Sequence, residues 1–215
     1  QADVVIGAQG KSQLAERIAA ALDKKGAPQP MMPARSIHVF ESLDIHAFSH
    51  QTRAFLKIQD GCNQFCSYCI IPYARGAERS IAPAQAVSIA RTMAEHGHQE
   101  IVLSGIHTGR YGRDQGTTLL QLLKQLIDAT PEQVRYRISS IEMNEIDDAF
   151  IAYMKQEPRI ARHLHIPIQA ASDEVLAAMN RPYDTAWFAQ RMRDIRAQLP
   201  GISISTDMIA GFPQE

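Results

Sequence analysis

From Arg53 onward the sequence alternates short apolar runs with longer amphipathic ones, and this alternation constrains the fold more than any other feature. Extended segments are expected at 54–59, 100–106, 135–141, 163–169 and 202–209. Helices are expected at 83–96, 118–129, 145–156, near 173–179 and at 185–199. Leu119, Leu122, Leu123, Leu126 and Ile127 show the spacing that places apolar side chains on one helical face. Strands that alternate with helices imply a parallel sheet with right-handed crossovers. About five such units predict an α/β fold, a partial (β/α) TIM-like barrel, rather than a two-layer sandwich. In parallel barrels the chemistry gathers at the carboxyl ends of the strands. Polar residues and glycines collect at those ends here: Ser104-Gly105-Ile106-His107, Ser139 to Glu142, His165 to Gln169, and Thr206 to Gly211.

The first strand leads into the only cysteines of the chain, Cys62, Cys66 and Cys69. Three thiolates this close together can hold three corners of an iron–sulfur cube. Clusters normally take four cysteines, so the fourth iron would be left open. An open coordination position marks catalytic rather than structural metal sites. An odd, clustered set is a poor disulfide framework, and no signal peptide is visible, so a reducing cytoplasmic setting is expected. Two alternatives stay open at this point. A zinc site would need a histidine as fourth ligand, and zinc ribbons carry a second distant cysteine pair that is absent here. A redox pair at Cys66 and Cys69 would leave Cys62 without a role.

The formal net charge of −1 gives no electrostatic footprint for nucleic acid. The arginine groups, such as Arg135 with Arg137 and Arg159 with Arg162, read as solvated faces. No apolar run has the length of a membrane span. Residues 1–33 read as the tail of a preceding domain and a linker. They hold an apolar run at 2–7, a helical pattern at 11–25 with Leu14, Ile18, Ala21 and Leu22 on one face, and a proline-rich stretch ending at Pro33. Residues 34–52 read as an extended connection, and 53–215 as the catalytic core, truncated at its C-terminal end.

Cys-x3-Cys-x2-Cys after the first strand of a parallel barrel resembles the radical S-adenosylmethionine superfamily. Lys57 to Asn63, Cys69 to Gly76, Ile101 to His107, Ser139 to Glu142, His163 to Gln169 with Ser172-Asp173, and Thr206 to Glu215 are similar to its methylthiotransferase family. Phe55 to Gly61 together with Gly105-Ile106-His107 most resembles the branch that acts on N6-threonylcarbamoyladenosine in tRNA. Sibling branches act on N6-isopentenyladenosine in tRNA or on an aspartate of a ribosomal protein. A non-enzymatic zinc or electron-transfer module is the alternative of another class.

The resemblance implies a transferase that inserts sulfur and a methyl group at carbon 2 of the modified adenosine next to the anticodon. It implies a 4Fe-4S cluster on Cys62, Cys66 and Cys69, S-adenosylmethionine on the open iron, and a reducing electron donor. Cofactor contacts are expected from Tyr68, Ser104, Gly105, Ser140, Glu142, Gln169, Ile209 and Gly211. Substrate contacts are expected from Arg75 and His107. His165, Trp187, Met179 and Met192 read as core. The family further implies a second 4Fe-4S cluster in an N-terminal domain and a C-terminal RNA-binding module. Both would lie outside this chain, which should therefore not complete the reaction alone. Ile81, Ala170, Ala171 and Gln214 depart from the family pattern, which puts contacts at the first three in doubt.

Overall fold

A computed structural model describes residues 4–23, 32–42, 51–213 and 215. A short 3-10 turn at Lys11–Gln13 leads into α1 (Leu14–Leu22), which buries none of its residues. Leu14, Ile18 and Leu22 stay exposed, so the apolar face expected there is uncovered among the described residues. The end of the expected helical pattern at 24–25 and residues 43–50 of the expected connection lie outside them.

The barrel begins at β1 (Arg53–Lys57), followed by β2 (Gln59–Asp60). The single strand expected at 54–59 is thus two pieces. Two elements went unforeseen: α2 (Ile71–Arg75), opened by Pro72, and β3 (Arg79–Ser80), which pairs antiparallel with β2. Both are too short for periodicity to register.

Then come α3 (Pro83–Glu95), β4 (Glu100–Ser104), α4 (Leu119–Ala129), β5 (Arg135–Ile138) and α5 (Asp148–Gln156). The chain continues through β6 (His163–His165), α6 (Asp173–Ala178), α7 (Thr185–Gln198) and β7 (Ser203–Ser205). α5 starts later than expected because Asp147 caps it, accepting from Phe150 N at 2.7 Å. Residues Met143–Glu145 form a 3-10 turn instead.

β1, β4 and β5 form one parallel sheet in that order, and β6 pairs parallel with β7. A bridge between Tyr136 and Ile160, and the bond from Ile141 N to His165 O at 3.0 Å, join the two sets. The five strands therefore follow chain order, as successive right-handed crossovers require. Leu122, Leu123 and Leu126 of α4 are fully buried with Ile101 and Leu103 of β4 and Tyr136 of β5 in one apolar core. Among the described residues no helix is long and apolar enough to cross a membrane.

Candidate active site

The cysteine loop rests on an ion cluster built by its own flanks. Asp60, at the end of β2, is 2% exposed at its side chain. Its carboxylate accepts from Arg75 Nε at 2.6 Å and Nη2 at 2.8 Å, from Lys57 Nζ at 2.6 Å and from the Gly61 amide at 2.8 Å. Arg79 Nη2 lies 3.0 Å away, itself almost wholly buried. Burial pushes the Asp60 carboxyl up, but the Arg75 and Lys57 hydrogen bonds outweigh it and hold it well below the usual carboxylate range.

The chain then turns at Gly61, whose φ is +72° and whose Cβ would lie 1.9 Å from Ala77 O. Only glycine fits there. The far side of the loop is tied to the end of α6. Ser67 N and Oγ donate to Met179 O and Ala178 O at 3.2 and 2.8 Å, and Asn180 Nδ2 donates to Phe65 O at 3.2 Å.

All three cysteines are free thiols. Cys66 is buried, and Cys62 and Cys69 are half-buried. Cys62 Sγ lies 3.4 Å from His107 Nδ1, and Cys66 Sγ accepts from Arg181 Nη1 at 3.6 Å. The thiols thus face protein donors. As they stand, no group of three His, Cys, Asp or Glu side chains among the described residues converges as a metal site. The donor set nevertheless fits an iron–sulfur cluster in kind: soft, unpaired thiols on one loop at the carboxyl end of the sheet.

The other expected residues lie around this loop, with one group turned inward. Ser104 ends β4, and its carbonyl accepts from Ile58 N at 2.8 Å. Gly105 passes so close to Gln59 that a Cβ would sit 3.0 Å from the Gln59 Cβ. The Ser140 carbonyl accepts from Thr108 Oγ1. Glu142 is ion-paired with Arg181, which also bonds the Tyr183 hydroxyl and the Pro167 carbonyl. Tyr68 is partly exposed, and its hydroxyl is pushed up by burial. Gln169 adopts a left-handed φ of +72° and bridges the two last strand ends, donating to Asp207 O and accepting from Ile209 N. Gly211 is exposed, and its amide donates to Glu215.

Arg75 and His107, expected as substrate contacts, are both engaged with protein partners. The Arg75 fork is already spent on Asp60. His107 is 7% exposed and packs between Cys62 and Glu145, whose Oε1 is 2.9 Å from Nε2. Burial lowers its affinity for a proton, but contacts with Cys62 and Glu145 win and raise it to about 9.

His165 is not a core residue. It is half-buried and bonds Ser205 Oγ at 2.9 Å and Asp207 at 3.1 Å. Trp187 is 39% exposed and stacks on Tyr183, whereas Met179 is fully buried. Ile81 and Ala170 are buried in apolar clusters, Ala171 is exposed, and Gln214 lies outside the described residues.

Three residues at the site escaped the sequence reading: Asp60, Glu145 and Arg181. Glu145 and Arg181 find their partners across the fold, whereas Asp60 finds its partners on the two flanks of the cysteine loop. Beside Cys62 a groove of about 470 Å³ opens, lined by Arg35, Asn63, Phe65, Pro72 and Tyr73.

Comparison with known proteins settles the family. The model of the Radical SAM superfamily matches residues 56–215. This chain belongs to the radical SAM superfamily. It is 41% identical over 214 residues to the threonylcarbamoyladenosine tRNA methylthiotransferase MtaB of Bacillus subtilis (strain 168), covering 99% of this chain and 48% of that protein. The tRNA-2-methylthio-N(6)-dimethylallyladenosine synthase of Anaeromyxobacter sp. (strain Fw109-5) is 35% identical over 213 residues, 99% of this chain and 45% of that protein. The chain spans about half the length of these curated relatives.

Among solved structures, the radical S-adenosylmethionine methyltransferase TsrM from Kitasatospora setae superposes with a TM-score of 0.62 at 17% identity, over 76% of this chain and 31% of that one. The cobalamin-dependent radical enzyme OxsB gives 0.57 at 13% identity, over 72% of this chain and 23% of that one. These likenesses establish the fold, a partial α/β radical SAM barrel.

Proposed function

We propose that this chain is the radical-generating core of a tRNA methylthiotransferase that acts on N6-threonylcarbamoyladenosine. The observation that carries the reading is the 41% identity over nearly the whole chain to an enzyme named for that substrate. The cysteine loop at the mouth of the parallel sheet supports it. Residues 53–215 are the core in this reading, and 1–33 the end of a preceding domain.

Cys62, Cys66 and Cys69 would hold a 4Fe-4S cluster, with S-adenosylmethionine at the open iron. When bound, that pair supplies the radical chemistry that activates an unreactive carbon–hydrogen bond. The protein's part is binding, orientation and exclusion of water. Tyr68 on the loop, and Ser104, Gly105, Ser140, Glu142, Gln169, Ile209 and Gly211 at or after four strand ends, are assigned to the cofactor. The aromatic pair Phe65 and Tyr73, ring centroids 5.7 Å apart and both exposed, borders the groove beside Cys62 and offers a stacking surface to a nucleobase. A tRNA substrate and thiols that must stay reduced support a cytoplasmic setting in this reading.

Two measurements test the reading. Anaerobic reconstitution with iron and sulfide should give a cluster whose EPR spectrum changes on adding S-adenosylmethionine; no such change would sink it. Nucleosides of tRNA from a strain lacking the gene should lose the methylthio form of N6-threonylcarbamoyladenosine. Loss of the dimethylallyladenosine derivative instead would move the substrate to the sibling branch.

A further inference from the structure

A carboxylate lies almost wholly out of water beside the cysteine loop. The Glu145 side chain is 1% exposed, and neither oxygen has an aligned hydrogen-bond donor among the described residues. Burying a carboxylate this way is costly unless a charge or donor compensates it. Its ion-pair partner is His107 Nε2, at 2.9 Å but out of hydrogen-bond alignment. The backbone has made room for it: a Cβ on Gly109 would lie 2.2 Å from Glu145 Oε2.

His107 is held from two more directions. Its amide donates to Gln59 Oε1 at 2.7 Å, and its other ring nitrogen, Nδ1, is 3.4 Å from Cys62 Sγ. The ring is therefore fixed between a buried carboxylate and a sulfur, on a residue too buried to offer a face to a substrate.

We propose that His107, oriented by Glu145, is a positioning residue that donates a hydrogen bond from Nδ1 to the Cys62 thiolate and tunes the cluster bound there. The inference rests on the reading of Cys62, Cys66 and Cys69 as cluster ligands. A metal-bound thiolate has no proton to give, so in a contact of this length the ring nitrogen must be the donor. Hydrogen bonds to cluster sulfurs are among the factors that set the potential. They draw charge from sulfur and favour the reduced state. Outer partners that orient groups around a metal are a general means of tuning it; here the oriented group is one bond further out.

The test uses the anaerobically loaded protein, with the midpoint potential read by redox titration followed by EPR and iron release read with a chelator. His107→Leu removes the donor at similar volume, and His107→Asn keeps an N–H near the position of Nδ1. The expected result is a more negative potential and several-fold faster iron release for His107→Leu, with both largely restored in His107→Asn. Glu145→Gln should shift the potential in the same direction by less. Cluster retained by His107→Asn but lost by His107→Leu also supports the assignment. Unchanged potential in both His107→Leu and Glu145→Gln, or equal loss of cluster in His107→Leu and His107→Asn, overturns it. A parent protein that takes up no cluster overturns the underlying reading, and this inference with it.

Discussion

Asp60 carries the local electrostatics of the cysteine loop. Three cations meet on one buried carboxylate; Arg79 is buried with it, while Lys57 and Arg75 keep part of their side chains in water. Removing one partner of a buried pair typically costs about 3–5 kcal/mol, because the other charge stays behind unpaired. Asp60→Ala should lower stability by about that much in urea unfolding; a loss below about 1 kcal/mol, the scale of exposed pairs, would show that the cluster is solvated.

Glu100 plays a similar part at the other end of β4, where it meets Arg53, Arg135 and Arg137. Burial raises its carboxyl, yet the Arg137 hydrogen bond and the surrounding guanidiniums bring it below the ordinary value of 4.5. A folded value below the unfolded one means that its stabilisation is complete above the unfolded value. It is lost as pH falls through the folded one. Thermal melts should therefore show a stability drop below pH 4.5 that is shallower in Glu100→Gln. Identical acid slopes in the two proteins would refute it. Both residues look like ordinary surface charges in the sequence, since nothing local reveals that several cations converge on each.

Helices differ in how far their sequence pattern was honoured. α4 was legible throughout: its leucines are buried, and Thr118 and Gln121 form a reciprocal capping box at its start. α1 has an equally clear apolar face, but no described element covers it. Periodicity shows which face is apolar and leaves open what covers it. The contrast is measurable. Leu122→Ala should cost about 2–5 kcal/mol, as large-to-small core changes do. Leu22→Ala should stay within about 0.5 kcal/mol, as exposed substitutions do. Equal costs in chemical denaturation would mean that α1 is covered in solution. Trp187 makes the same point on α7: at helical spacing it reads as core, yet it stacks on Tyr183 at the surface.

At the scale of the whole molecule, strand order follows chain order and brings five strand ends to one edge, as strand–helix alternation implies. The cysteine loop spans that edge, anchored at its start by Asp60 and at its far side by the end of α6. Cluster uptake should accordingly need the loop intact. Cys66→Ser should abolish the charge-transfer absorption of the reconstituted protein while leaving its far-ultraviolet circular dichroism unchanged. A cluster of normal intensity in that variant would remove Cys66 from the ligand set.

The sequence by itself determined the strand–helix alternation, the parallel barrel class and the three thiols with no fourth, because periodicity and cysteine spacing are local properties. Only the tertiary structure decided what surrounds those thiols. It turned Arg75 onto Asp60, buried His107 between Cys62 and Glu145, and brought Arg181 to Cys66 from the far end of α6. Arg75 and Asp60 are 15 residues apart, His107 and Cys62 are 45, and Arg181 and Cys66 are 115, so the last two contacts form only when the strands close into a common edge. A side chain's charge can be read from its letter; its counter-charge depends on the fold.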